Sequence, residues 1–359
     1  MTRARAGWAL AAGLAVLAIL TGAWLALAIT SGGLGSGKRV RVDVAPGEAP
    51  RALADRLAKA GVVRSAWRFS AYSALFGDAS ALAAGPHWLR DDLSARELRA
   101  RLERRAGVPR EKVTFPEGFN RFDMARRLGE KGVCEPGAFL AATVDADLLR
   151  DLGVPGASAE GYLFPATYAL ADDADPREIV RRMKAEFDHR VERLRASYPD
   201  FPGAAARELG FTRHQVLTLA SMVEKEAQAP EERPLVASVF FNRFRDPGFL
   251  PKPPRLQSDP TSAYGCLVDG ARLASCAGFT GKVTAEMVHD PENRWGTYRN
   301  GGLPPGPICN PGERSIAAAV QPADTRYLYF VARGGGKHTF SATLAEHNAA
   351  VERLREGRR

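Results

Sequence analysis

The sequence predicts an α+β fold in several parts: a single N-terminal membrane-crossing helix, a small strand-and-helix region, and a larger mixed α+β domain. One apolar run near the start is long enough to span a bilayer. A strand-turn-helix pattern occurs twice within residues 40–135, and from residue 136 onward helical periodicity dominates, broken by Pro- and Gly-rich loops. The chain has 359 residues, 45% of them hydrophobic, and only 4 Cys. A sizeable core is therefore available, and collagen-like, coiled-coil and disulfide-scaffold classes are excluded. With 50 Lys+Arg against 41 Asp+Glu the net charge is +9, which suits an acidic partner such as nucleic acid, an anionic membrane or a carboxylate-rich polymer.

No charged residue lies between Arg5 and Lys38, and Trp8 to Thr30 reads WALAAGLAVLAILTGAWLALAIT. At a rise of about 1.5 Å per residue, this run crosses a hydrocarbon core of about 30 Å. A cleaved signal peptide is the competing reading, because Ala26-Leu27-Ala28 resembles a small-x-small cleavage site. The apolar cores of such peptides run only about 7–15 residues, so an uncleaved anchor is expected. The expected division is a cytoplasmic N-terminus at 1–7, a transmembrane helix at 8–30 and a linker at 31–39. Arg3 and Arg5 are nearly balanced by Lys38, Arg39 and Arg41 beyond the run, so the positive-inside bias is slight. A single span ahead of a long soluble body usually exports that body. The cytoplasmic (inner) membrane is then an expected partner and nucleic acid is not.

Cys266 and Cys276 are close enough to close a short loop in an oxidising compartment, whereas Cys134 and Cys309 stand apart in the sequence. There is no CxxC and no HExxH, and Glu286-x-x-His289 alone reads as an exposed polar pair. Neither a metal nor another cofactor is expected.

Residues 42–63 and 113–134 align without gaps, with Val42/Val113, Gly47/Gly118, Ala54/Ala125, Arg56/Arg127, Leu57/Leu128, Gly61/Gly132 and Val62/Val133 identical. Each copy reads as a short strand, a Pro/Gly turn, and a helix ending at a Gly suited to a left-handed cap. Between them, Ser94-x-x-Glu97 is a capping box. Two readings stand for 40–135: a structural α+β module, or a glycan-binding module of the LysM type. Residues 136–210 read as a mainly helical connecting region, in which Glu160-Gly161-Tyr162-Leu163-Phe164-Pro165 is either core or the wall of a cleft.

From residue 211 the texture changes. Thr212-x-x-Gln215 is a second capping box, opening a helix that reads QVLTLASMVEKEA. Val216, Leu219, Ala220 and Val223 form a stripe whose continuation lands on Glu226, about 160° around the helix from Glu224. A carboxyl in apolar surroundings has a raised pKa and can act as a general acid, so Glu226 is the candidate catalytic residue. An exposed helix end is the plainer reading of any EKE. A second helix, PLVASVFFNRF, ends in Asn242 and Arg243 and leads to Gln257, Asp259 and Tyr264 in a Pro-rich stretch, and later to GLPPGPI and Asn310-Pro311-Gly312. Polar side chains on rigid loops suit sugar hydroxyls and N-acetyl groups. Asn242, Gln257, Asp259 and Tyr264 are thus the candidate substrate-binding residues, each with a structural role as the alternative.

Taken together, the motifs resemble the endolytic murein transglycosylases (MltG, or YceG-like, family). The resemblance runs through the N-terminal anchor, EGYLFP at 160–165, SMVEKEA at 221–227, VASVFFNR at 236–243, LQSDPT at 256–261, GLPPGPI at 302–308, YLYFV at 327–331 and HTFSATLAEHN at 338–348. Ala166 stands where an Asp is usual, and the loop from Phe244 to Arg255 is longer and richer in Pro than typical. The resemblance implies an inner-membrane enzyme with a LysM-like subdomain at 40–135 and a catalytic YceG-like domain at 211–359 on the extracytoplasmic side. Such an enzyme cleaves the MurNAc–GlcNAc β-1,4 bond within nascent strands without water, leaves 1,6-anhydro-MurNAc ends and terminates glycan polymerisation. It implies one catalytic Glu in the EKE motif, carried here to Glu226. Its expected partners are peptidoglycan strands and the penicillin-binding protein synthases. Two rivals stay open: a lysozyme-like hydrolase with Asp259 as second acid, and a non-catalytic membrane-anchored wall-binding scaffold.

Overall fold

The computed structural model describes residues 22, 35–37, 39–76, 81–103, 111–171 and 174–356. Apart from Gly22, the expected span at 8–30 lies outside them. No helix among the described residues is long and apolar enough to cross a membrane. The class is mixed α+β, and the chain divides into two compact units, Met1–Glu111 with Leu170–Ala174 and Lys112–Ala169 with Asp175–Arg359.

In the first unit, β1 (Arg39–Val44) alternates exposed Arg41 and Asp43 with buried Val42 and Val44, as a half-buried strand must. It pairs antiparallel with β2 (Gly85–Arg90), from Arg39 opposite Arg90 to Val44 opposite Gly85. Between the strands run α1 (Pro50–Lys59) and α2 (Ala66–Phe76), and α3 (Ala95–Leu102) follows β2. The α3 N-terminus carries the expected reciprocal cap of Ser94 and Glu97. Leu53, Ala54 and Leu57 of α1 meet Phe69, Leu89, Leu98 and Leu102 in a closed core.

The second copy of the repeat opens the second unit as β3 (Glu111–Thr114) and α4 (Arg121–Glu130), and β3 pairs with β4 (Thr167–Leu170). Both copies have the expected local geometry: the matched glycines take left-handed φ values, 69° and 77° at Gly47 and Gly118, and 75° and 67° at Gly61 and Gly132. The region after it is mainly helical, with α5 (Pro136–Ala142), α6 (Ala146–Asp151), α7 (Pro176–Ser197) and α8 (Ala204–Glu208). The EGYLFP stretch is core: Glu160, Tyr162, Leu163 and Phe164 are all buried.

The centre of this unit is α9 (Arg213–Glu226), packed against α10 (Arg233–Arg245) and α13 (Glu313–Val320). Between the last two come α11 (Asp259–Asp269) and α12 (Ala285–His289). The chain closes with the hairpin β5 (Tyr329–Gly334) and β6 (Lys337–Ser341), on which α14 (Leu344–Glu356) packs. Cys266 and Cys276 form a disulfide beside Leu273 and Met287, a small core separate from the main one. Cys309 and Cys134 are buried outside it.

Candidate active site

Helix α9 begins where the sequence says it should. Thr212 Oγ1 accepts from the Gln215 N–H at 3.3 Å, and Gln215 Oε1 accepts from the Thr212 N–H at 2.9 Å. Every residue from Val216 to Val223 is buried. Each large apolar side chain so enclosed contributes roughly 1.5–3 kcal/mol, enough to hold a polar helix end in place. Ser221 ties the helix to a distant loop by accepting the Ile308 N–H at 3.0 Å.

The two acids of the EKE motif are both enclosed, and their partners distinguish them. Glu224 receives the Arg233 Nη2 at 3.1 Å and the Gly312 N–H at 3.0 Å, with side chains 6% and 9% exposed for Glu224 and Arg233. Its charge is consumed by that pairing. Glu226 is half-buried, and its Oε1 accepts the Ser258 hydroxyl at 2.6 Å. Burial pushes the Glu226 carboxyl above its ordinary value, and the Asp259 charge adds to this. The Ser258 bond and the positive charges of His338 and Arg243 oppose it. The result is an enclosed carboxyl without a cationic partner in direct contact among the described residues, one that keeps its proton closer to neutrality and can donate it and then take one back.

The segment facing Glu226 is rigidly held. The Ser258 N–H donates to Thr297 Oγ1 at 3.0 Å, and Thr261 Oγ1 donates to the Ser258 carbonyl at 2.6 Å. Buried Arg243 donates to the carbonyls of Leu256 at 2.6 Å and Leu328 at 2.7 Å. Burial lowers its guanidinium pKa to about 10, which leaves it a cation at neutral pH. Between these anchors Gln257 takes a φ of 50°, a left-handed conformation that costs a non-glycine residue about 1–3 kcal/mol and persists only where the surroundings impose it. The Tyr298 hydroxyl donates to Asp259 Oδ1 at 2.8 Å. Burial and the Asp259 carboxylate hold that phenol above its ordinary pKa, so it stays a donor. Nearby, Glu232 accepts the His338 N–H at 3.1 Å and lies 2.8 Å from His338 Nδ1.

Of the five residues singled out in the sequence, three come together here: Glu226, Gln257 and Asp259, joined through Ser258. The side chains of Gln257 and Asp259 are exposed. The other two are engaged inside the protein. Asn242 Nδ2 donates to the carbonyls of Thr325 at 2.8 Å and Tyr327 at 3.1 Å, tying the end of α10 to the segment that leads into β5. Tyr264 is 2% exposed, packs edge-on against Trp295 at 4.7 Å, and donates to Glu160 Oε2 at 2.9 Å.

Glu160 also accepts the Arg121 N–H at 2.9 Å and Asn310 Nδ2 at 2.7 Å, and burial raises its pKa to about 7. Asn310 Oδ1 in turn accepts the N–H groups of Gly161 at 2.8 Å and Leu163 at 3.0 Å, while its Nδ2 also reaches the Phe119 carbonyl at 3.0 Å. A Cβ on Gly161 would come within 2.6 Å of Pro307, so only glycine allows this close packing. Ser258, Arg243, Tyr298 and the Glu232–His338 pair did not stand out as site residues in the sequence. Ser258 and Arg243 lie within quoted motifs, whereas nothing local marks Tyr298.

The profile of the YceG-like family matches residues 42–353. An endolytic murein transglycosylase of Bacillus subtilis (strain 168) is 29% identical over 332 residues, covering 88% of this chain and 84% of its own. An endolytic murein transglycosylase of Streptococcus pneumoniae serotype 2 is 29% identical over 344 residues, and the match covers 88% of this chain and 58% of that protein. The crystal structure of a yceG-like protein from Listeria monocytogenes matches with a TM-score of 0.54 at 28% identity, over 88% of this chain and 99% of the other. The order of motifs, the fold of both units and these matches agree, and the chain belongs to the YceG-like family.

Proposed function

We propose that this protein is an endolytic murein transglycosylase. It cleaves the MurNAc–GlcNAc β-1,4 bond within nascent strands, leaves 1,6-anhydro-MurNAc ends and so terminates glycan polymerisation. The observation that carries the reading is the division of labour in the EKE motif. Glu224 is committed to Arg233, while Glu226 has a raised pKa and a hydrogen bond from the neutral Ser258 hydroxyl. Glu226 is the acid that protonates the glycosidic oxygen and the base that takes the proton of the C6 hydroxyl. One protein acid/base suffices because the sugar supplies both the stabilising acetamido group and the nucleophile, unlike two-carboxylate hydrolases. Gln257 and Asp259 contact substrate, whereas Asn242 and Tyr264 support the segments that carry them.

In this reading residues 8–30 anchor the protein in the cytoplasmic membrane with its body outside, the LysM-like region at 40–135 holds glycan, and penicillin-binding protein synthases are partners. The +9 charge suits anionic wall polymer and lipid. The oxidised Cys266–Cys276 pair supports an extracytoplasmic body.

The test is digestion of polymeric peptidoglycan with wild-type and Glu226→Gln protein, read by mass spectrometry for anhydro-muropeptides. Wild type is expected to make them and the variant to lose about 10²–10⁴-fold in rate. Full activity in the variant would sink the assignment. The nearness of the Asp259 charge to Glu226 favours one rival, a two-carboxylate hydrolase, whose products would be reducible by borohydride.

A further inference from the structure

A second carboxylate at this site has a fixed position and little work within the protein. Asp259 is the first residue of α11, its side chain is exposed, and among the described residues the Tyr298 hydroxyl is the side-chain group that hydrogen-bonds it. That bond, at 2.8 Å, engages Oδ1 and leaves acceptor capacity on the exposed carboxylate, whose chain neighbour Ser258 holds Glu226 at 2.6 Å.

The chemistry of the proposed reaction asks for a group of this kind. A 1,6-anhydro ring joins O6 to C1 on the face from which a β-linked leaving group departs. Two inversions at C1 give that outcome, with a group bonding to C1 from the opposite face between them and stabilising the oxocarbenium-like charge. Either a protein carboxylate or the sugar's own acetamido oxygen can do so. Tyr298 draws charge from the Asp259 carboxylate into a hydrogen bond, which weakens it as a nucleophile toward carbon. The same bond makes it a better-placed acceptor for an N–H.

We propose that Asp259 orients the 2-acetamido group of the reacting MurNAc by accepting its N–H, and that Tyr298 is the positioning residue that fixes Asp259 for this task. The inference rests on the transglycosylase reading and deepens it. Glu226 gives its proton to the glycosidic oxygen as the C1–O bond breaks and the acetamido oxygen bonds to C1. The resulting oxazolinium N–H carries the positive charge toward Asp259, where a preorganised anion stabilises it most. The C6 hydroxyl oxygen then bonds to C1, the acetamido oxygen leaves with its electron pair, and the hydroxyl proton passes to the Glu226 carboxylate. Atoms and charge balance without water.

The experiment uses the full chain in nanodiscs and two substrates, intact glycan strands and strands chemically de-N-acetylated. Wild type, Asp259→Asn and Tyr298→Phe are compared by the rate of anhydro-end formation. On intact strands Asp259→Asn should fall about 10²–10³-fold in kcat. Tyr298→Phe, which leaves the carboxylate in place, should fall about tenfold. On de-N-acetylated strands wild type should drop to the level of Asp259→Asn, and the substitution there should cost no more than about twofold. Losses that multiply on the de-N-acetylated strands, an Asp259→Asn variant as fast as wild type on intact strands, or a trapped glycosyl ester on Asp259 each overturn the proposal while leaving the transglycosylase reading intact. Wild type that makes no anhydro ends from intact strands overturns both.

Discussion

Replacing Glu160 by Gln and following stability from about pH 4 to about pH 8 isolates one buried titration. The Glu160 side chain is 1% exposed, and burial lifts its pKa from 4.5 to about 7 against the pull of the Arg121 N–H and the Tyr264 hydroxyl. In the unfolded chain the same carboxyl titrates near 4.5. The folded protein therefore holds this proton more tightly, and the stability it contributes is full below about 4.5 and lost as the pH rises through about 7. The gap between those two values, at about 1.4 kcal/mol per pH unit, amounts to roughly 3 kcal/mol. Gln does not titrate. It does turn an amide N–H₂ toward groups that are themselves donors, at a pH-independent cost of about 1–3 kcal/mol. The quantity to measure is the difference in unfolding free energy between wild type and Glu160→Gln from urea titrations of the full chain, in which the other titrations cancel. Fluorescence suits this, because Trp295 packs on Tyr264 within the same cluster. The wild-type advantage should shrink by about 3 kcal/mol across the range. A difference constant to within about 1 kcal/mol would refute the account of Glu160 as a strained, buried acid.

Three further outcomes follow from other parts of the structure. Glu224→Gln leaves the buried Arg233 guanidinium, among the described residues, only the more distant, half-exposed Glu117 carboxylate at 3.9 Å and should cost about 3 kcal/mol in urea unfolding, while the folded protein still forms anhydro ends; unchanged stability would contradict the pairing. Ser258→Ala removes a bond that lowers the Glu226 pKa, so the alkaline limb of the rate profile, where the acid loses its proton, should move to higher pH, and Ser258→Thr should restore it. Reducing the Cys266–Cys276 bond frees a loop with a sequence separation of 10 residues. Hydrogen exchange should then show local opening easier by about 3 kcal/mol in 266–290 and no change in α9; uniform loosening of the unit would count against a separate small core.

Local features were the ones legible in the sequence. The caps at Ser94 and Thr212, the buried stripe of α9 and the paired repeat glycines are set by neighbours within a few residues, and the structure has each of them. The cap formed by Asn120 and Asp123 obeys the same rule with a shorter acid and went unread. Destinations of polar side chains were less legible. Tyr264 and Asn242 have the chemistry of sugar-binding residues, but their polar atoms are spent on Glu160 and on the carbonyls of Thr325 and Tyr327, more than 80 residues away. Glu224 and Glu226 differ in surroundings because of Arg233, Gly312 and Ser258, none of which helix periodicity can place.

The Asn310 amide has a consequence for the order in which the chain comes into being. It joins Gly161 and Leu163 to Phe119, across 147 to 191 residues, and its neighbour Ile308 holds Ser221 of the helix that carries Glu226. Contacts of such separation are slow to form, because a long loop must close before any of them stabilises the chain. A chain emerging from its N-terminus thus carries both acids of the EKE motif, and their partners Arg233 and Ser258, before it carries the Ile308 and Gly312 contacts that fix their helix. The proposed centre is therefore buttressed only when residues as late as Ile308 and Asn310 are present, so a chain cut short before them has the EKE acids without that support.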